Sequence, residues 1–157
     1  MFAVLKRFAP LMLVALMLSV MLVACGDDAS TATIPSYTGA TTLTLPDAAK
    51  TSFGSSLKDA KNVKIDAYKT SDDSAKVKSF FADNLSKGGW ADKSGDISKD
   101  SGDSIKSFES LGGFILGYEK GGRQVAVLGM PNVAAGPLGF TDVGPNDTLY
   151  LVISGDK

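Results

Sequence analysis

Phe114-Ile115-Leu116-Gly117-Tyr118-Glu119-Lys120-Gly121-Gly122-Arg123-Gln124-Val125-Ala126-Val127-Leu128 decides the fold. Two apolar, strand-forming runs flank Lys120-Gly121-Gly122, and a pair of glycines between such runs is a hairpin signal. Thr148 to Ser154 is a further apolar strand. Upstream, Val63 to Lys69 alternates Val63, Ile65 and Ala67 with lysines and Asp66, the pattern of a half-buried strand. Thr42 to Leu45 alternates in the same way over a shorter distance.

Between these strands lies one well-defined helix. Thr70-Ser71-Asp72-Asp73 offers capping oxygens and negative charge for a helix N-terminus. Val77, Phe80, Phe81 and Leu85 then recur at helical spacing, with Lys76, Lys78, Asp83 and Lys87 on the other faces. Gly88-Gly89 closes the helix, and Trp90 is expected to fold back as a core plug. A weaker helix opens at Pro46-Asp47 and runs to about Lys58, with Phe53 and Leu57 on one side. Ala91 to Ser107, rich in Asp, Ser, Lys and Gly, is expected to be irregular or edge structure. The expectation is an α+β domain over residues 42–157: a small antiparallel sheet with one or two helices on one face.

The N-terminus carries a different message. Lys6 and Arg7 precede an apolar run from Phe8 to Ala24, broken only by Ser19 and with Pro10 near its start. Positive, apolar and small, in that order, is the layout of a secretory signal. Leu22-Val23-Ala24-Cys25 closely resembles the bacterial lipobox, whose cysteine receives diacylglycerol before cleavage. The alternative is an uncleaved spanning helix, but 17 residues are at the lower edge of what crosses a bilayer core of about 30 Å. The sequence therefore divides into a signal peptide (1–24), a lipidated Cys25 with a flexible tether (25–41), and the domain. The expected location is the extracytoplasmic face of a cell membrane or outer envelope, with the bilayer as partner through the acylated, palmitate-type anchor. Two or more acyl chains hold a protein firmly where one holds it marginally.

Composition narrows the function. Removing the signal leaves 14 basic residues against 17 acidic ones, a mature balance of −3. Such a surface argues against nucleic acid, which needs clustered Lys and Arg. The chain contains no histidine, and its single cysteine is assigned to the anchor. The commonest general base, zinc ligand and thiol nucleophile are then all missing, and no cofactor is indicated. Arg123 is the only arginine in the mature chain, so it is the one candidate for bidentate anion recognition; the alternative is a solvated hairpin end.

Tyr37-Thr38-Gly39-Ala40, Tyr68-Lys69-Thr70-Ser71, Phe80-Phe81 to Leu85, Gly89-Trp90 and the Gly-Gly-Arg hairpin together resemble a family of uncharacterised bacterial envelope lipoproteins. That family reads Tyr-Pro-Gly-Ala at the first motif and Phe-Tyr in the helix, so this chain departs at Thr38 and Phe81. The resemblance spans residues 37–154 and implies the fold; the family carries no established activity.

Several side-chain groups are candidates for chemistry. Asp92, Asp96, Asp100 and Asp103, set among Ser and Gly, would suit calcium on a flexible loop, although the EF-hand order is absent and Lys93 and Lys99 offset the charge. Gly129 to Asp147 is long for a connection without structure of its own. Within it, Met130, Pro131, Leu138 and Phe140 form either an apolar contact surface or a loop folded back on its own sheet edge. Trp90, Tyr118 and Tyr150 could line a ligand groove, with core packing the preferred reading. Serines beside lysines (Ser56/Lys58, Ser86/Lys87) leave open a serine hydrolase, but no strained elbow marks a nucleophile. The functional expectation is a non-enzymatic binding or interaction module of the envelope, with the histidine-free serine hydrolase as the alternative.

Overall fold

The computed structural model describes residues 32–54, 61–130 and 132–157. The signal sequence, Cys25, Leu57, Ser56/Lys58 and Pro131 lie outside them. No helix among the described residues is long and apolar enough to cross a membrane.

In chain order the elements are β1 (Thr41–Leu43), α1 (Asp47–Gly54), β2 (Lys61–Thr70), α2 (Ser74–Lys87), β3 (Ala91–Asp92), α3 (Ser94–Ser110), β4 (Phe114–Lys120), β5 (Arg123–Met130), α4 (Asn132–Ala135) and β6 (Thr148–Asp156). The strands form one antiparallel sheet in the order β1-β2-β6-β5-β4-β3. The expected α+β class is what the molecule adopts. The β4–β5 hairpin pairs Lys120 with Arg123 across a two-residue turn. Gly121 and Gly122 sit at φ 54° and 76°, the left-handed pair that such a turn demands.

Helices cover both faces of the sheet, where sequence suggested one. Successive strand residues point to opposite sides, and each side has its own apolar cluster. One contains Ala67, Leu128, Leu149 and Leu151, roofed by Phe53 of α1 and by Ile97, Ile105 and Phe108 of α3. The other contains Phe114, Leu116, Val127 and Tyr150 beneath Val77, Phe81 and Leu85 of α2 and beneath Trp90. The near-continuous apolar runs of β5 and β6 record this double burial, since a strand covered on both sides has no polar face.

α2 forms as its sequence dictates. The Asp73 carboxylate accepts the Lys76 backbone N–H at 2.7 Å, and Gly89 leaves the helix at φ 77°. Ala91 to Ser107 corrects the irregular expectation: after the two residues of β3 it is the greater part of α3. Ile97, Ile105 and Phe108 lie at i, i+8 and i+11, one face of a helix, and all three are buried. Asp92 opens this helix by accepting the Ser94 backbone N–H at 2.8 Å.

The boundary of the domain also moves. Ala32 to Ala40, assigned above to the tether, lies against the sheet as a strap that ends in a turn at Tyr37–Ala40, with Ala32 and Tyr37 buried. Three side chains of the folded body hold it. Arg123 Nη1 donates to the Ala32 carbonyl at 3.2 Å and Trp90 Nε1 donates to the Thr33 carbonyl at 3.3 Å. The Tyr37 hydroxyl in turn donates to Asp72 at 2.7 Å.

Candidate functional site

The strap covers the β2–β6 side of the sheet incompletely. Between them lies a cleft of about 570 Å3, within the range of roughly 300–1,000 Å3 typical of small-molecule sites. Its floor is the sheet face that β2 and β6 present beside Phe81 of α2. Register places Lys64 opposite Ser154, Asp66 opposite Val152, and Tyr68 opposite Tyr150. Alternation turns all six toward the cleft, and Arg123 enters from the first residue of β5.

The cleft is divided by chemistry. At one end Tyr68 and Tyr150 stack with centroids 5.3 Å apart and planes at 19°, and Tyr150 meets Tyr37 and Phe81 edge-on or tilted. Tyr150 is buried, which raises its phenol well above the usual tyrosine range; burial and then the neighbouring Asp66 raise Tyr68. Both rings present themselves as neutral phenols. At the other end Lys64 and Asp66 form an ion pair at 2.7 Å. The hydrogen bond to Asp66 and its charge raise the Lys64 pKa, so this ammonium stays protonated. Arg123 is half-buried and has no carboxylate within ion-pair distance among the described residues. Its side chain clamps the strap and faces the cleft together.

Comparison with family models, curated proteins and solved structures finds no match. The site therefore rests on its own geometry.

The structure distributes the sequence candidates unevenly. Arg123 and Tyr150 reach the cleft, whereas Trp90 and Tyr118 are buried in the core on the α2 side. Met130, Leu138 and Phe140 are 3%, 3% and 6% exposed and belong to the cluster under α1 and α3, so they are not a contact surface. The loop folds back because Leu138 and Phe140 continue the turn after α4, through backbone N–H donation to Ala134 and Ala135 carbonyls. The acidic candidates lose the flexible loop that calcium would require. Asp92 accepts the Ser94 N–H just before α3, Asp96 and Asp103 are exposed on α3, Asp100 lies on the same helix, and Asp103 pairs with Lys106. No group of three or more acidic, His or Cys side chains is placed for a metal ion among the described residues.

Sequence reasoning missed Lys64 and Asp66 as site residues, because on a half-buried strand they read as its solvent face, and it gave Tyr68 no site role. It missed the strap because Ala32-Thr33-Ile34-Pro35-Ser36 has the small, polar composition of a linker. Ile34 and Tyr37 were the available signals, as each is costly to leave in water beside an apolar sheet.

Proposed function

We propose that this protein is a lipid-anchored extracytoplasmic module that binds a small ligand at the envelope and performs no chemistry on it. The observation that carries the reading is the cleft whose wall is the strap, the segment that follows Cys25 by only a few residues. A preformed, half-polar cavity with an aromatic floor is what a binding site needs. Nothing in it resembles an activated nucleophile. Ser154 and Lys64 face each other across β2 and β6, yet Asp66 holds the lysine protonated, which removes it as a base for serine.

The anchor is tested on the full chain in its native host. Cys25→Ser is expected to abolish incorporation of labelled palmitate and to leave the product as precursor or shed from the membrane fraction. Normal maturation and retention of that variant would refute lipidation. Labelling of the wild-type chain by a serine-directed fluorophosphonate, lost in Ser154→Ala, would replace the binding module by the hydrolase.

A further inference from the structure

We propose that the cleft under the strap binds an anionic amphiphile, its charged head on Arg123 and its apolar body along the Tyr68–Tyr150 rings. This deepens the binding-module reading and rests on it.

The charges select the head group. Lys64 is committed to Asp66 at 2.7 Å, so that pair contributes little net field. Arg123 is left as the uncompensated cation of the cleft among the described residues. One guanidinium nitrogen serves the Ala32 carbonyl, and a guanidinium carries five N–H donors in a planar fork. The remaining donors match a phosphate or carboxylate, the partners for which arginine is better suited than lysine. Register along β6 puts Arg123 at the Lys64 end of the cleft and the rings at the other, so the head and the body of one ligand face different ends. A single unpaired cation also sets the scale: it suits one head group, not a polyanion.

The rings select the body. Tyr68 is half-buried and lies flat on Tyr150, with Val152 beside it and Ile34 and Pro35 of the strap opposite. Tyr68 and the strap side chains offer stacking and apolar contact to the body of such a ligand. Place completes the argument. Ala32 contacts Arg123 and is seven residues after Cys25, and a fully extended chain of that length spans at most about 25 Å. On the lipoprotein reading, the cleft is thus confined next to a surface built of amphiphiles.

The test uses the full-length mature chain in phosphatidylcholine nanodiscs, titrated with hexyl phosphate, hexyl glucoside and inorganic phosphate. Trp90 is the reporter, because it is the single tryptophan and its indole N–H holds the strap at Thr33. Hexyl phosphate is expected to give a saturable emission change, with the other two binding at least about tenfold more weakly. Arg123→Gln retains a donor for the Ala32 carbonyl while removing the charge, and should weaken hexyl phosphate by a similar factor at an unchanged denaturation midpoint. Asp66→Asn, which releases Lys64, should tighten it. If Arg123→Gln loses stability, the Asp66→Asn gain decides. A pre-shifted Trp90 signal and a suppressed titration in phosphatidylglycerol discs would place the ligand in the bilayer; an unaltered titration would assign it to soluble amphiphiles. Equal binding of glucoside and phosphate, insensitive to Arg123→Gln, would overturn the anion assignment and leave a binding module standing. Absence of any saturable change with hexyl phosphate, or weaker binding in Asp66→Asn, would also overturn it.

Discussion

Trp90 joins the strap to the core with the two halves of its indole. Its ring fills the space beneath α2 at 4% exposure, while its N–H reaches the Thr33 carbonyl. Trp90→Ala should therefore cost about 3–5 kcal/mol, measured by urea denaturation followed by circular dichroism. Trp90→Phe keeps most of the apolar area and should lose roughly 1 kcal/mol plus a small packing difference. A loss below about 1 kcal/mol in the alanine variant would contradict the burial. Tyr37 supplies a pH dependence. Burial, then its hydrogen bond to Asp72, pushes its pKa from 10.0 up to about 12. A folded-state value above the unfolded one means stability that is complete below the unfolded pKa and is lost as pH rises through the folded one. Denaturation midpoints should consequently fall between about pH 10 and pH 12, and the fall should be shallower in Tyr37→Phe. Tyr150 shifts in the same direction and steepens the wild-type curve. Asp72 has the opposite sign: Lys76 and the Tyr37 hydroxyl lower its pKa, so its contribution is present at neutral pH and disappears on acidification through the folded value.

The connection from β5 to β6 is a structural element even though only α4 is regular. Ala134, Ala135, Leu138 and Phe140 fill the cluster that α1 and α3 roof. Replacing residues 131–147 by an Asn-Gly turn should accordingly destabilise the domain, in spite of a shorter loop. Phe140→Ala alone should cost about 3–5 kcal/mol by the same denaturation assay. An intact midpoint in the turn variant would show that the cluster is dispensable. This loop marks where sequence stops being informative. α2 was legible because cap, stripe and terminating glycines all agree, and the β4–β5 hairpin because its turn glycines sit between two apolar runs. α3 was not: Ile97 and Ile105 are eight residues apart in a polar background, and their stripe is recognisable only once Phe108 is counted with them. Gly113 belongs to that pattern too, since a Cβ there would lie 2.5 Å from the Phe108 ring. Of the candidate site, Arg123 was legible as the lone mature arginine, but its neighbours come from β2, β6 and the strap. Their convergence is a property of register and not of any local motif.

The sheet order sets the last strand in chain order between two halves built from the earlier ones. β1 and β2 make one half, β3, β4 and β5 the other, and β6 lies between β2 and β5 with both its faces covered. Neither half can close its core alone. Deleting residues 148–157 should abolish cooperative unfolding altogether, leaving no urea transition by circular dichroism. A residual cooperative transition would show that one half is independently stable.

The central place of β6 has a consequence for biogenesis. Thr148–Asp156 is the last strand in chain order, and it supplies the ladder for Lys64 to Thr70 on one side and for Arg123 to Met130 on the other. A chain threaded head first through a narrow channel would thus emerge almost entirely before its sheet could form. On the lipoprotein reading, acylation at Cys25 would come first and folding second, the timing set by topology.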